Sequence, residues 1–236
     1  DIVSFTTHKT LCGPRGAVII THDKELGEKF DKGVFPGEQG GPHINTIAAM
    51  ALTFELAQRE EFLQLQQQTL KNASALAAAF QKNGVRVPYN GTDSHLTLID
   101  CKSFRGPEGV PLNGDLAARI LDLVGIVVNR NTIPGDKTAL FSTGIRYGTP
   151  WMTQRGLKEA EMVQVADAIA DVLYACKPYT IEMRTGPVQR AKVDFAVLED
   201  VKLRVRALAE KAGADPVRDP KKPEHGYPHF FYIDDK

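Results

Sequence analysis

The order of apolar and polar residues along the chain predicts strands and helices that alternate. Short apolar or β-branched runs are typical of strands, and they occur at residues 2–7, 16–21, 96–99, 126–128 and 143–150. Apolar residues at helical spacing predict helices at residues 43–58, 59–83, 113–125, 153–176 and 193–213, with a short polar helix or turn at 22–33. This alternation indicates the α/β fold class.

The composition is that of an ordinary globular protein, since 42% of the 236 residues are hydrophobic and 25% are charged. Lysine and arginine together number 29, as do aspartate and glutamate, and this balance gives no support to nucleic-acid or membrane-surface binding. No apolar run approaches the ~18 residues of a membrane-spanning helix. Cys12, Cys101 and Cys176 are widely spaced and odd in number, which fits neither a zinc site nor a disulfide framework and favours a reducing cytoplasm.

Lys9 follows the first predicted strand, within the polar stretch Thr6–Thr10. An ordinary solvated lysine at a strand end explains this position as well as a functional lysine does. A phosphate-binding loop needs the pattern G-x-x-x-x-G-K-[ST], which is absent. The functional alternative is a nucleophilic lysine that forms a Schiff base, because His8 and the neighbouring hydroxyl groups suit a cofactor phosphate and a protonated imine.

Two further stretches contain the residue types of anion-binding sites. Gly40 and Gly41 precede a predicted helix, where free backbone amides and the helix dipole attract an anion, although an ordinary turn is the simpler interpretation of an isolated Gly-Gly pair. Arg146 lies in an apolar strand between Gly144 and Gly148, where its charge needs an anionic partner. That partner is either a carboxylate ligand bound bidentately or a structural salt bridge.

Five stretches occur together in one order: TTHKTLCGPRG, FPGEQGGP, GTDSHL, NRNTIPGD and GIRYGTPWMTQRG. Each is weak alone, but the combination is specific, and with it the chain resembles serine hydroxymethyltransferase, a pyridoxal-phosphate enzyme of fold type I. The resemblance covers about residues 1–213 and matches roughly the C-terminal half of the family's chain. It implies a partial large domain followed by a small C-terminal α/β domain.

The resemblance implies cofactor roles for the first part of the chain. Lys9 matches the lysine that forms the internal aldimine with pyridoxal 5'-phosphate, and His8 matches the histidine that lines the site. Thr6 matches the threonine three positions before the lysine, and these three residues are the expected catalytic group. Gly40 and Gly41 match the backbone donors to the cofactor phosphate, which in this family belong to the neighbouring subunit. A homodimer is therefore expected.

The resemblance implies substrate roles for the second part. Arg146 matches the arginine that holds the amino-acid carboxylate, Asn131 matches an asparagine at the folate pterin ring, and Phe141 ends the stretch that matches the family's folate contact. The chain departs from the family's pattern at Phe5, Glu38, Ala139-Leu140 and Trp151. Of these, Ala139-Leu140 replace a Ser-Pro pair directly before Phe141.

A domain division also follows from the resemblance. Residues 1–59 are expected to complete the large cofactor domain, 60–213 to form the small domain, and 214–236 to form a tail or linker. The family's first half supplies an aromatic group over the cofactor, an aspartate at its pyridine nitrogen and a catalytic glutamate, and it is not in this sequence. Association with a missing N-terminal half is therefore the alternative to a simple homodimer.

Three functions stay open from the sequence. The first is a hydroxymethyltransferase that interconverts serine and glycine with tetrahydrofolate as the one-carbon acceptor. The second is a folate-independent pyridoxal-phosphate aldolase or transaldolase that acts on β-hydroxy amino acids, and the third is an inactive fragment that only folds and associates. Asn131 favours the first function, whereas Ala139-Leu140 weaken it. No metal ion is expected.

Overall fold

The computed structural model describes residues 1–184 and 186–212, which form a mixed α and β structure. The strands are β1 Ile2–Thr6, β2 Ala17–Thr21, β3 Leu96–Asp100, β4 Asn129–Asn131, β5 Gly144–Gly148, β6 Cys176–Met183 and β7 Gly186–Val193. The helices are α1 Lys24–Lys32, α2 Ile44–Leu56, α3 Glu60–Lys82, α4 Gly114–Leu123, α5 Pro150–Gln154, α6 Glu159–Tyr174 and α7 Phe195–Lys211. Shorter helical turns lie at Gly33–Glu38, Pro88–Asn90, Cys101–Ser103 and Ala139–Phe141. The tail or linker predicted at 214–236 lies outside the described residues.

The chain forms two compact units, and the boundary between them lies inside α3, between Gln66 and Gln67. The helix predicted at 59–83 is confirmed, because α3 spans nearly the same residues. Two glutamates in its first turn and a lysine in its last turn suit the helix dipole, and Gly84, at a φ of +74°, follows its end. The domain boundary at residues 59–60 stays a prediction.

In the first unit, β1 and β2 form an antiparallel hairpin whose register runs from the Ile2–Thr21 pair to the Thr6–Ala17 pair. All of residues 1–66 are described, and none of their apolar side chains is buried. Successive residues of a strand point to opposite faces, and both faces of this hairpin carry exposed apolar side chains, at Ile2, Val3, Ile19 and Ile20. The first unit therefore has no hydrophobic core of its own.

The second unit contains a three-stranded antiparallel sheet in the order β3–β5–β4. Alternate residues of β3 and β5 are buried on one face of this sheet, namely Thr97, Ile99, Ile145 and Tyr147. Helices α3, α4 and α6 supply most of the remaining core, whose fully buried side chains include Leu76, Phe80, Leu121, Met162, Ile169 and Leu173. The hydrophobic core of the described structure thus lies in the second unit.

Three elements differ from the sequence predictions. The segment predicted as a strand at 126–128 is irregular, and β4 lies three residues further along the chain. The single helix predicted at 153–176 is two helices, because Gly156 takes a φ of +82° after α5 and the chain restarts as α6. The hairpin of β6 and β7, paired from Cys176–Val193 to Met183–Gly186, is not predicted by the sequence pattern.

Candidate functional site

The loop between β1 and β2 holds the predicted nucleophile, and hydrogen bonds close the base of this loop. Thr7 is fully buried, and it donates its N–H to the Gly16 carbonyl (3.0 Å) and its hydroxyl to the Pro14 carbonyl (2.7 Å). The Gly13 N–H donates back to the Thr7 carbonyl (2.8 Å). These contacts fix the backbone that carries Lys9.

Lys9 has an exposed side chain that makes no hydrogen bond or ion pair with the described residues. Its carbonyl accepts a hydrogen bond from the Cys12 N–H (2.9 Å), which turns the chain directly after the lysine. His8 is half-buried, and its Nδ1 atom is shielded from solvent without a hydrogen-bond partner in the described structure. Thr6, also half-buried, is the last residue of β1. An unsatisfied buried nitrogen is costly, and a bound group that reached Nδ1 would remove this cost.

Gly40 and Gly41 lie in an exposed stretch shortly before α2. A Cβ atom at either glycine would meet no atom within 4 Å, so open space lies beside this backbone. No hydrogen bond to a described residue engages either N–H. His43, at the N-cap of the 13-residue helix α2, makes no side-chain capping hydrogen bond. Backbone N–H groups of this kind, ahead of a helix, are suited to an anion such as a phosphate.

Arg146 lies in the second unit, on the central strand β5, where its sheet partners are Leu98 and Asn129. Its side chain is half-buried and has no ion pair or hydrogen bond with the described residues, so the structural salt bridge considered from the sequence has no partner there. Asn131, on β4, pairs with Gly144. Because paired residues and alternate residues share a face, Arg146 and Asn131 are diagonal neighbours on one face of the sheet.

The loop from β4 to β5 is held by Asp136, to which sequence reasoning gives no role. One carboxylate oxygen accepts hydrogen bonds from the N–H groups of Ile133 (3.0 Å) and Thr143 (2.8 Å), and the other accepts from the Thr143 hydroxyl (2.6 Å). Burial raises the pKa of Asp136, but the hydrogen bonds from Thr143 and Ile133 and the positive charge of Lys102 together hold that pKa below its ordinary value. The sequence signal for this role is an aspartate directly after a Pro-Gly turn.

Phe141 ends a helical turn in the same loop, and 76% of its surface is exposed. Leu140 is 68% exposed, so the segment that resembles the folate contact presents its apolar side chains outward. The sequence-predicted site residues are thus divided between the units: Thr6, His8, Lys9, Gly40 and Gly41 lie in the first, and Asn131, Phe141 and Arg146 lie in the second.

The described residues contain no group of three or more His, Cys, Asp or Glu side chains placed to hold a metal ion. Cys12 is exposed, Cys101 and Cys176 are buried, and none of the three forms a disulfide. Burial raises the pKa of the Cys101 thiol, and it raises that of Cys176 to about 12, so neither thiol is a ready nucleophile. Within the ranges 1–184 and 186–212, no helix has the length and apolar character needed to cross a membrane.

The sequence is similar to proteins of a known family. The family model described as serine hydroxymethyltransferase matches residues 1–169. A serine hydroxymethyltransferase from Microcystis aeruginosa is 43% identical over 213 residues, which are 89% of this chain and 48% of that protein. Those from Rickettsia canadensis and Cyanothece sp. are 48% and 46% identical, over 75% and 89% of this chain and over 41% and 45% of their own length. The chain therefore spans less than half the length of these relatives.

Proposed function

From the premise that the chain belongs to the serine hydroxymethyltransferase family, we propose that it is a section of an enzyme that interconverts serine and glycine. Pyridoxal 5'-phosphate is the proposed cofactor, tetrahydrofolate the proposed one-carbon acceptor, and the cytoplasm the proposed compartment. One observation carries the proposal: the Lys9 side chain has no partner among the described residues, and His8, the residue before it in sequence, has a buried Nδ1 atom that also lacks one. The reaction is proposed for the assembled protein, because the chain spans less than half of its relatives.

The first unit contains groups that fit the cofactor. The ε-amine of Lys9 would hold its aldehyde carbon, and the unpartnered Nδ1 of His8 would form a hydrogen bond in the same site. The open backbone at Gly40 and Gly41 would donate N–H groups to the phosphate, across a homodimer interface as in the family. Thr6 keeps its proposed place in the catalytic group. When bound, pyridoxal phosphate supplies an electron sink for the bond that breaks at the substrate α-carbon.

The second unit contains groups that fit the substrates. Arg146 would hold the amino-acid carboxylate through two parallel N–H···O hydrogen bonds, which fixes the orientation of the bond to the hydroxymethyl carbon. Asn131 lies beside it on the same sheet face, and its amide would hydrogen-bond to the folate pterin ring. Phe141 is exposed for contact with the folate, on the loop that Asp136 holds. This arrangement supports a folate-dependent reaction.

Chemical trapping of the cofactor tests the assignment of Lys9. The purified chain is incubated with pyridoxal phosphate and then with borohydride, which makes attachment to an amine permanent, and the labelled peptide is identified by mass spectrometry. We expect the label on Lys9 and its loss in Lys9→Arg. Lys24→Arg, at an exposed lysine of α1, is the matched control and should keep the label. A label spread evenly over surface lysines, unchanged in Lys9→Arg, would contradict the proposal.

Turnover tests the proposed reaction in an assembled protein. We expect the chain alone to bind pyridoxal phosphate weakly and to turn over no serine, because the family's ring-stacking group and catalytic glutamate lie outside it. Mixing it with the N-terminal half of the Microcystis aeruginosa relative should give serine turnover that depends on tetrahydrofolate. Turnover that tetrahydrofolate does not affect would favour the aldolase alternative, which the replacement of the family's Ser-Pro pair by Ala139-Leu140 supports. A mixture that associates without any turnover would favour the inactive fragment.

A further inference from the structure

A cavity of about 590 Å³ lies in the second unit, between β5, the segment before β4, and helices α5 to α7. Its walls are mostly apolar and include Leu96, Ile126, Val128, Met152, Val165 and Leu208. The charged side chains in its lining are those of Arg146 and Arg155, the other polar ones belong to Asn129, Tyr147 and Trp151, and no described lining residue is an aspartate or a glutamate. Small-molecule sites typically have this size and this excess of apolar surface around a few polar groups.

The charge of the cavity comes from two arginines in different situations. The Arg155 guanidinium lies 4.7 Å from the centroid of the Trp151 ring, and it donates a hydrogen bond to the Ala212 carbonyl (3.4 Å). Arg146 is half-buried and has neither an ion pair nor a hydrogen bond among the described residues. A partly desolvated guanidinium without a counterion is unfavourable, and a carboxylate is the anion that its planar fork binds best.

We infer that this cavity binds an amphipathic monocarboxylate, with the carboxylate on Arg146 and an apolar chain or ring along the cavity walls. The inference goes beyond the proposed reaction, because serine and glycine have no apolar body that could cover these walls. It shares only Arg146 with the proposed substrate site. A bound amphipathic carboxylate therefore competes with the amino-acid carboxylate for the same guanidinium, and such molecules are expected to act as inhibitors of the assembled enzyme.

The only tryptophan of the chain reports on this cavity, because Trp151 lines it and is 60% exposed. Octanoate, added as monomers to the purified chain, should shift the Trp151 emission to shorter wavelength in a saturable way. Octanol has the same chain length without the charge, and octylamine has the opposite charge. Both should bind at least about tenfold more weakly than octanoate. Across hexanoate, octanoate and decanoate, each added methylene should lower Kd by about two- to fourfold.

Variants separate the carboxylate contact from a general apolar effect. Arg146→Gln should weaken octanoate binding by at least about tenfold and leave octanol binding unchanged. Arg130→Gln is the matched control, since Arg130 on β4 pairs with Asp115 (3.0 Å) and does not line the cavity. Val127 lines the cavity and is 84% exposed, so a substitution there should not impair folding. Val127→Asp should weaken octanoate binding by charge repulsion and leave octanol binding unchanged.

Three results would overturn the inference: octanol binding as tightly as octanoate, octanoate binding that survives both Arg146→Gln and Val127→Asp, or no saturable change in Trp151 emission. None of these results bears on Lys9 or on serine turnover, so the cofactor proposal is tested independently of this inference. If glycine and serine displaced octanoate from the wild-type chain, with the same dependence on Arg146, the shared use of this arginine would be confirmed.

Discussion

At the scale of single residues, Asn72 shows how a buried amide orders the second unit. Its side chain is fully buried and donates to the Thr153 hydroxyl (2.9 Å) and to the Leu157 carbonyl (2.9 Å), while its oxygen accepts from the Gln68 side chain (3.0 Å). Asn72→Ala leaves the Leu157 carbonyl without this donor, and we expect the free energy of unfolding to fall by about 1–3 kcal/mol. Urea denaturation measures it.

The matched control lies on the same helix. Ser74 is exposed on α3, and Ser74→Ala should change the free energy of unfolding by less than about 0.5 kcal/mol. Equal effects of Asn72→Ala and Ser74→Ala would show that the buried amide network does not contribute to stability.

Gly144 is required by close packing rather than by an unusual backbone angle. A Cβ at this position would overlap the Ile133 side chain and lie 2.9 Å from the Asn131 carbonyl oxygen. Gly144→Ala should therefore lower stability by about 1–3 kcal/mol, as overpacking does, and separate β4 from β5. Gly148→Ala on the same strand is the control, because its Cβ would lie 3.4 Å from a Leu96 methyl group, and a thermal melt of both variants should show the larger loss for Gly144→Ala.

The site residues differ in how far the sequence predicts them. Lys9 and Arg146 are recognisable because each combines a charged side chain with an apolar strand and flanking turns, and the structure shows both without partners among the described residues. The unsatisfied Nδ1 of His8 and the loop-closing role of Asp136 depend on tertiary packing. A sequence pattern contains no information on which buried atoms find a partner, so these features emerge only from the structure.

At the scale of elements, an ion pair joins the start of α6 to the end of α7. Glu161 is buried and accepts hydrogen bonds from Lys211 Nζ (2.6 Å) and from the Lys158 N–H (2.9 Å). The hydrogen bond from Lys211, with that from Lys158, holds the pKa of Glu161 below its ordinary value. A carboxyl group whose pKa is lowered in the folded state adds stability above its unfolded pKa of ~4.3, and this stability is lost as the pH falls through the folded pKa.

The lowered pKa of Glu161 predicts that the effect of two variants on Tm depends differently on pH. Glu161→Gln should lower Tm at about pH 6, and the gap to the wild type should close as the pH falls below the folded pKa. Glu199→Gln, at an exposed glutamate of α7, should lower Tm neither at about pH 6 nor at acidic pH. A Tm difference for Glu161→Gln that stays constant from neutral to acidic pH would contradict the role of the charge.

The elements that differ from prediction have weak local signals. β4 consists of Asn129, Arg130 and Asn131, which have little strand propensity, and it forms because β5 offers an open edge. The break between α5 and α6 depends on Gly156, whose tolerance of positive φ ends a helix that apolar spacing alone would continue. The β6–β7 hairpin has polar and apolar residues on both faces, so its sequence lacks the alternation of polar and apolar residues that would predict two strands. By contrast, α3 and α7 have long apolar periods, and both are confirmed.

At the scale of the whole molecule, burial is distributed unequally. Every buried apolar side chain of the described structure lies between residues 73 and 201, and the first unit has none. Hydrogen exchange should therefore be slow for amides of β3 and β5 and much faster for those of β1 and β2, because few buried contacts resist local opening of the hairpin. Mass spectrometry of exchanged peptides measures this contrast, and equal protection of the two sheets would contradict it.

The exposed apolar side chains of the first unit also matter for the fate of the chain in a cell. Chaperones and quality-control proteases act on apolar surface that a finished protein keeps covered. Ile19, Ile20 and Leu52 form such a surface wherever no other protein surface covers them. Stabilising the second unit would not remove this surface, so only burial of these side chains would protect the first unit from quality control.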